Sequence, residues 1–419
     1  MQLACSECRA PAEADTLFCA ACGGLLAFIC NTTLSAADLR SLLAQRRLSN
    51  AHIDTSGVWR YRELLPSLPL EAVTTLRENV APLYSASTGA AYAGCARLSY
   101  LHLGMNPTAS FKDAGMTVAI SHAKARGARV AVCASTGNTA AAMAAYAARA
   151  GLIAVVLVPA KGVSAAKLAQ TLDYGARVIA IDGDFDQALA MVRTLDPQRT
   201  AIVNSVNPYR IEGQKTAAFQ LLEQRDWQVP DWLILPGGNL GNTSAFGKGF
   251  REALQLGLID RLPRLAVVQA AGAAPFVPVV QSGGQLQAVK AETNATAIKI
   301  GAPASWRKAL QEVRDSSGTA LAVSDEQIAD ARAIIGRDGV GCEPASAASL
   351  AGAKQLREAG LLDADADAVL VLTGHVLKDT AYAAAYHESS AAFANHPLSI
   401  GSAADVAQYI ADLASGKLA

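Results

Sequence analysis

Lys112 stands in the stretch Asn106-Pro107-Thr108-Ala109-Ser110-Phe111-Lys112-Asp113-Ala114-Gly115-Met116, a short polar turn that leads into an apolar helical run. A lysine desolvated at such a junction loses part of its preference for the charged form, so more neutral amine is available to form an imine with an aldehyde. A second chemistry opens the chain. Cys5, Cys8, Cys19 and Cys22 form two CxxC pairs, while Cys30, Cys95, Cys133 and Cys342 are scattered. Four thiolates at that spacing close a tetrahedral zinc shell with no position left for a substrate, so the metal is expected to be structural. Metal binding explains the pairs better than oxidation does.

Polar turns supply candidate anion sites. Gly237, Gly238, Asn239, Leu240 and Gly241, followed by Asn242 and Thr243, run from a strand into a helical pattern. Glycines let successive amides aim at one point and a helix start adds positive potential, so this loop is expected to cradle a phosphate. Its spacing is neither the dinucleotide fingerprint nor the nucleoside-triphosphate loop. Ser135, Thr136, Gly137, Asn138 and Thr139 form another turn before a helix, able to donate to an anionic oxygen or simply to cap the helix. Asn204 and Ser205 with Arg210 group amide, hydroxyl and guanidinium for a second phosphate or a carboxylate; the alternative is a solvated loop with Arg210 paired to Glu212. Thr373, at a strand end, offers a hydroxyl to a neutral heteroaromatic nitrogen, whereas His375 reads as a loop residue.

The elements that must position these groups follow from length and pattern. A chain of 419 residues exceeds one ordinary core, and two or three domains are expected. Hydrophobic residues at 51%, charged residues at 17% and 33 glycines suit buried strands and close helix packing. Lys+Arg and Asp+Glu are both 36, so no basic field favours nucleic acid, and the expected partner is a small molecule. Apolar runs are broken before membrane-spanning length and no targeting leader is read, so a soluble, cytoplasmic protein with no membrane partner is expected.

A helix is predicted over 34–47 and a connector over 58–65. Beyond residue 101, strands predicted at 128–133, 154–158, 178–181 and 201–203 alternate with helices at 115–124, 139–149, 165–172 and 185–195. The alternation resumes with a helix at 215–224, a strand at 232–235, a helix at 243–255 and a strand at 265–269. Helices at 306–313, 325–335 and 346–358 and a strand at 368–372 complete it. This is an α/β pattern: parallel sheets covered on both faces, in two lobes, with ligand groups at the carboxyl ends of strands.

Taken in order, these motifs resemble the threonine synthase family, pyridoxal-phosphate enzymes of the tryptophan-synthase-β fold type, from about residue 60 onward. The resemblance rests on Ser110-Phe111-Lys112-Asp113, Ser135-Thr136-Gly137-Asn138-Thr139, Asn204-Ser205 with Arg210 and Gly237-Gly238-Asn239 with Gly241-Asn242. Ala297-Ile298-Lys299-Ile300-Gly301, Glu343-Pro344-Ala345-Ser346 and Thr373-Gly374 with Leu377-Lys378-Asp379 extend it. Some members carry a similar N-terminal zinc ribbon. The resemblance implies a two-lobed open parallel-sheet architecture, with a ribbon at 1–27, a small α/β domain at 101–205 and a large one from 28–100 and 206–419.

It also implies pyridoxal 5'-phosphate as cofactor, with Lys112 as the imine lysine and Asn138 on the cofactor's phenolic oxygen. Gly237, Gly238, Asn239, Leu240 and Gly241 would surround its phosphate, and Thr373 would meet its pyridine nitrogen. Asn204, Ser205 and Arg210 correspond to residues that hold the substrate's phosphate in relatives, and Ser135, Thr136 and Thr139 are expected at the substrate too. The implied reaction converts O-phosphohomoserine and water to threonine and phosphate, so the partner is a small phosphorylated amino acid; a homodimer is entertained. Ala114, Ala109 and Ala302 depart from the usual arginine, glycine and asparagine, 76–83 degrades a family segment, and His375-Val376 interrupts the closing motif. The alternatives are a β-replacement enzyme on phosphoserine or another activated amino acid, cysteate-synthase-like, and a catalytically vestigial cofactor-binding regulatory protein.

Overall fold

Strands that are apolar on both faces can only sit in sheets covered on both sides, and helices here supply the cover. The computed structural model describes residues 1–78, 80–160, 165–183, 187–188, 191–192, 194–196 and 199–417. At the start, β1 (Gln2–Cys5) pairs antiparallel with β2 (Leu26–Ile29). A six-stranded sheet follows the order β11 (Thr319–Val323), β10 (Arg264–Ala270), β9 (Trp232–Pro236), β12 (Asp367–Leu372), β4 (Arg97–His102), β3 (Leu83–Ser85). Only β3 runs antiparallel to its neighbour. A four-stranded parallel sheet has the order β7 (Arg177–Ile181), β6 (Ile153–Pro159), β5 (Val130–Ala134), β8 (Thr200–Ile202).

The described helices are α1 (Ala36–Arg47), α2 (Ser87–Ala93), α3 (Lys112–Ala125), α4 (Asn138–Ala150), α5 (Ala165–Asp173), α6 (Pro208–Gln224) and α7 (Gly241–Gln255). Then come α8 (Phe276–Ser282), α9 (Trp306–Asp315), α10 (Asp325–Arg337) and α11 (Pro344–Glu358). These belong to one compact unit, Met1–Asp379; a second, Thr380–Ala419, holds α12 (Thr380–Glu388) and α13 (Ala403–Ala414). No helix among the described residues is long and apolar enough to cross a membrane.

The parallel α/β architecture agrees with the sequence pattern, although β1, β2, β3, α2, α8, α12 and α13 were not predicted, and further differences lie within the sheets and connectors. β4 was not anticipated, because Arg97 and Ser99 interrupt its apolar run, yet it lies beside β12 within the larger sheet. β11 was missed as well: Thr319-Ala320-Leu321-Ala322-Val323 is alanine-rich and lacks a strand signature. The predicted connector at 58–65 contains a 3-10 helix, Trp59–Leu64. The helix predicted at 185–195 falls largely on residues outside the described set.

Two helices fix the geometry that matters most. α3 begins at Lys112 and α6 carries Arg210 in its first turn, and they meet at Gly115 and Gly213. A Cβ on Gly115 would stand 2.7 Å from the Arg210 carbonyl oxygen, and one on Gly213 would overlap the Ala114 carbonyl oxygen and stand 2.9 Å from the Gly115 Cα. Glycine therefore lets the two backbones touch, which no side chain permits. Around this contact one core gathers Met116, Val118, Ile120, Met143, Tyr146 and Tyr209 together with Leu26 and Phe28 of β2. A second core packs Phe219, Leu233, Leu235, Phe246, Phe250, Val267 and Val369. Replacing Gly213 by Ala should cost about 1–3 kcal/mol of stability, the usual penalty of overpacking, and lower the urea midpoint. An unchanged midpoint would show that the helices can separate without cost.

Candidate active site

Lys112 is the first residue of α3, and backbone pairing holds the chain just before it. Phe111 N–H donates to the Thr373 carbonyl (2.9 Å) and His375 N–H to the Ala109 carbonyl (3.0 Å), with Ser110 opposite Gly374. Ala109 sits at φ 63°, a left-handed conformation that suits glycine and strains alanine. Asp113 closes the turn by accepting from the Thr108 amide (2.6 Å) and hydroxyl. The Lys112 amine lies 3.7 Å from the centroid of the Phe111 ring. Part of the side chain is accessible, but protein surrounds the amine; burial, then the Arg210 charge, lowers its pKa to about 7, against the opposing pull of Glu343. Near neutral pH much of this lysine is therefore free amine.

Asn138 opens α4, and no side-chain cap is made there; its Nδ2 instead donates to Glu343 Oε2 at 3.0 Å. Thr373 Oγ1 donates to the other oxygen, Oε1, at 3.1 Å. Ser346 locks Thr373 further, its Oγ accepting from the amides of Thr373 (2.8 Å) and Gly374 (3.0 Å). Glu343 thus joins two residues that sequence reasoning had placed at opposite edges of a cofactor ring. Burial raises its pKa. Neither Glu343 nor Ser346 carries a role legible from sequence, because a glutamate ahead of a helical proline reads as an ordinary helix start.

The loop at 237–241 leads into α7 as expected. Gly237 N–H donates to the Val268 carbonyl (2.7 Å), Leu240 turns left-handed at φ 64°, and no side chain caps α7. Asn239 is spent on the scaffold, donating to Ser205 Oγ (2.6 Å) and accepting from Ala304 N–H (2.5 Å). Just inside the helix, Asn242 Nδ2 and Thr243 Oγ1 are buried without a hydrogen-bond partner. An uncapped helix start with two orphaned donors fits a phosphate and is costly without one.

Arg210 lies on α6 rather than in a solvated loop, and it does not pair with Glu212. That carboxylate belongs to a buried cluster with Lys215 (2.5 Å) and Lys248 (3.0 Å). The Arg210 guanidinium is buried, donates to the Val203 carbonyl at 3.2 Å, leaves Nε unpartnered, and has no ion pair among the described residues. Burial lowers its pKa to about 10, so it remains a cation awaiting an anion. Asn204 uses both ends of its amide on the Ala134 backbone (3.2 and 3.0 Å), bracketing the turn that carries Ser135, Thr136 and Thr139. In that turn Ser135 Oγ accepts from Gly137 N–H at 3.3 Å.

Away from this site, the sulfurs of Cys5, Cys8, Cys19 and Cys22 all lie within 4.8 Å of one another, and none is in a disulfide. Cys5–Cys22 and Cys8–Cys19 are each 3.5 Å apart, close to the edge of roughly 3.8 Å that a tetrahedron of 2.3 Å zinc–sulfur bonds requires. Glu7 N–H (3.3 Å) and Cys8 N–H (3.5 Å) point at Cys5 Sγ, as a thiolate favours.

Known proteins resemble this chain over most of its length. Residues 74–374 match the family described as pyridoxal-phosphate dependent enzyme. The chain is 44% identical over 383 residues to threonine synthase of Methanosarcina acetivorans, covering 90% of this chain and 92% of that one. It is 50% identical over 323 residues to threonine synthase of Synechocystis, covering 76% and 82%. Threonine synthase from Escherichia coli shares the fold, with a TM-score of 0.69 at 20% identity over 96% of this chain and 93% of that chain.

The lowered Lys112 pKa gives a direct expectation. Lys112 is protonated below its pKa, so in cofactor-free protein its acylation, followed by peptide mass spectrometry, should rise with pH around a midpoint of about 7. In Arg210→Met, loss of the neighbouring positive charge should move that midpoint upward. A midpoint in the ordinary lysine range in the unaltered chain would contradict the buried environment.

Proposed function

The chain belongs to the family of pyridoxal-phosphate-dependent enzymes, and from that premise we propose that it converts O-phosphohomoserine and water to threonine and phosphate. One observation carries the choice of substrate: the Arg210 guanidinium, buried, unpaired and close enough to Lys112 for its charge to be felt there. A phosphate ester, carrying up to two negative charges beyond the α-carboxylate that every amino-acid substrate has, gains most from a buried cation beside the amine.

When bound, the cofactor supplies an aldehyde that holds the amino acid and a conjugated ring that accepts electron density from its α-carbon. The remaining work belongs to side chains of this protein. Lys112, in its neutral form, would anchor the aldehyde and take the substrate's α-proton, for which a pKa of about 7 is well matched. A β-proton is then removed, its electron pair forming the β–γ double bond as the phosphate leaves, and the γ-carbon and finally the α-carbon regain protons, the water supplying hydroxyl to the β-carbon. Arg210 binds the γ-phosphate, stabilises the charge that grows on it as the γ-carbon–oxygen bond breaks, and retains the phosphate in reach of the water that adds at the β-carbon. The amides of 237–241 with Asn242 and Thr243 take the cofactor phosphate. Asn138 and Thr373, which donate to Glu343 in this structure, would turn to the ring when it binds; a hydroxyl, unlike a carboxylate, leaves a ring nitrogen unprotonated. Ser135, Thr136 and Thr139 face the substrate on a turn held by Asn204, and Ser205 ties that region to Asn239.

We assign a structural zinc ion to Cys5, Cys8, Cys19 and Cys22, whose mutual distances suit a closed thiolate shell.

Arg210→Ala should raise KM for O-phosphohomoserine about 100-fold or more, the scale for losing one partner of a buried charge pair, while cofactor affinity stays near the original. Equal loss of both would place Arg210 at the cofactor instead. Lys112→Ala should abolish turnover; consumption of O-phosphoserine in the presence of sulfite, with none of O-phosphohomoserine, would favour the β-replacement chemistry. For the metal, Cys5→Ser/Cys22→Ser should lose zinc by elemental analysis yet keep the cofactor's absorbance, and unchanged zinc content would remove the ribbon assignment.

A further inference from the structure

The Arg210 side chain is poorly tethered by its own bonds. One 3.2 Å contact to the Val203 carbonyl holds a buried guanidinium whose Nε has no partner. Its position therefore depends on the backbone of the first turn of α6. That turn is capped by Asn207, which accepts from Tyr209 N–H at 3.0 Å, and Tyr209 immediately precedes Arg210.

Tyr209 is gripped from two sides. Its ring stacks on His122 of α3 with centroids 3.7 Å apart, and meets the ring of Phe28, on β2, edge-on at 4.8 Å and 64°. Phe28 is the strand residue that follows the last two cysteines by six positions, and it lies in the same core as Tyr209. The β2 backbone is fastened as well. Lys248 of α7 donates to the Phe28 carbonyl and pairs with Glu212 (3.0 Å), two residues beyond Arg210, while Lys308 of α9 donates to the Leu26 carbonyl. Asp15, between the cysteine pairs, adds an ion pair with Arg126 (3.2 Å) just beyond α3. The cysteine segment also meets α9 through a Glu7–Arg307 ion pair (3.7 Å), but no ring packing like that of Phe28 on Tyr209 joins it to Asn138, Thr373 or the 237–241 loop among the described residues.

We infer that the four-cysteine ribbon positions the phosphate-binding arginine, with Phe28 and Tyr209 as positioning residues that set the first turn of α6 and hence the site of Arg210. This rests on the reading of Arg210 as the holder of the substrate phosphate. The ribbon thereby acts on substrate recognition and leaves cofactor binding alone, which gives a closed, non-catalytic metal site a stated purpose. Tyr209 acts through Arg210 and touches no reacting atom.

The test uses the full-length, cofactor-loaded protein and four variants: Tyr209→Leu, Phe28→Leu, Tyr209→Phe and Arg210→Ala. Affinity for inorganic phosphate is measured by calorimetry, beside KM and kcat for O-phosphohomoserine, cofactor retention and zinc content. Tyr209→Leu and Phe28→Leu should weaken phosphate binding roughly tenfold and raise KM by a similar factor, within the usual range of coupling between sites. Their cofactor retention and zinc content should match the unaltered chain, and Tyr209→Phe, which keeps the ring, should restore phosphate binding. Normal phosphate binding in Tyr209→Leu beside a loss in Arg210→Ala would overturn the inference alone. Undiminished phosphate binding in Arg210→Ala would remove both it and the reading beneath it. Loss of cofactor in parallel with phosphate in Tyr209→Leu would show a general structural role and would also overturn it.

Discussion

Direct backbone contact between α3 and α6, at Gly115 and Gly213, is the constraint from which the site follows. It brings the helix that begins with Lys112 against the one whose first turn carries Arg210. Two cations then share one desolvated region, an arrangement that costs free energy unless one of them gives up its proton or an anion arrives. Lysine yields more readily than arginine, whose pKa starts higher, so Lys112 becomes the amine and Arg210 the anion receptor. The division of labour between nucleophile and phosphate clamp is thus set by packing and by the intrinsic basicity of two side-chain types.

The buried polar groups separate into those that are satisfied and those that are not. Glu212, Lys215, Lys248 and Glu252 neutralise one another at 2.5 to 3.0 Å, a closed cluster with no role for a ligand. Glu343 is bonded by Asn138 and Thr373, and Asn204 by the Ala134 backbone. Among the buried atoms without a hydrogen-bond partner, which also include single oxygens of Glu212 and Glu252 and the Ser110 hydroxyl, three are donors at the two expected anion positions: Asn242 Nδ2, Thr243 Oγ1 and Arg210 Nε. Each orphan costs on the order of 1–3 kcal/mol, more for the charged one, which a bound phosphate at each location would recover. Two groups of anion-seeking donors are what the proposed reaction, with one cofactor phosphate and one substrate phosphate, calls for.

Much of this was legible in the sequence, because the groups that carry chemistry lie in glycine-punctuated turns at strand ends, where local signals are strong. Lys112, the 237–241 loop and the cysteine spacing are local features: Lys112 opens α3, the loop joins β9 to α7, and the four sulfurs lie within 4.8 Å of one another. Arg210 was legible in type but not in partner: nearby Glu212 looked available, and only the fold reveals that Lys215 and Lys248 claim it. Glu343 was legible as part of a family motif but not in its bonding role, because its partners are 205 and 30 residues away. β4 was missed for a similar reason, since a strand carrying Arg97 and Ser99 is recognisable only from its neighbour β12. Ala109 stood out as a departure from glycine, and its positive φ explains why glycine is the easier residue there.

In the proposed reaction the carbon–oxygen bond of a phosphate ester breaks and the phosphorus–oxygen bond stays intact. Turnover of O-phosphohomoserine in ¹⁸O-labelled water tests it most directly, with both products analysed by mass spectrometry. The label should appear in the hydroxyl of threonine and be absent from the phosphate released. Label in the phosphate, with homoserine as the organic product, would mean hydrolysis at phosphorus and would contradict the roles given to Lys112 and Arg210.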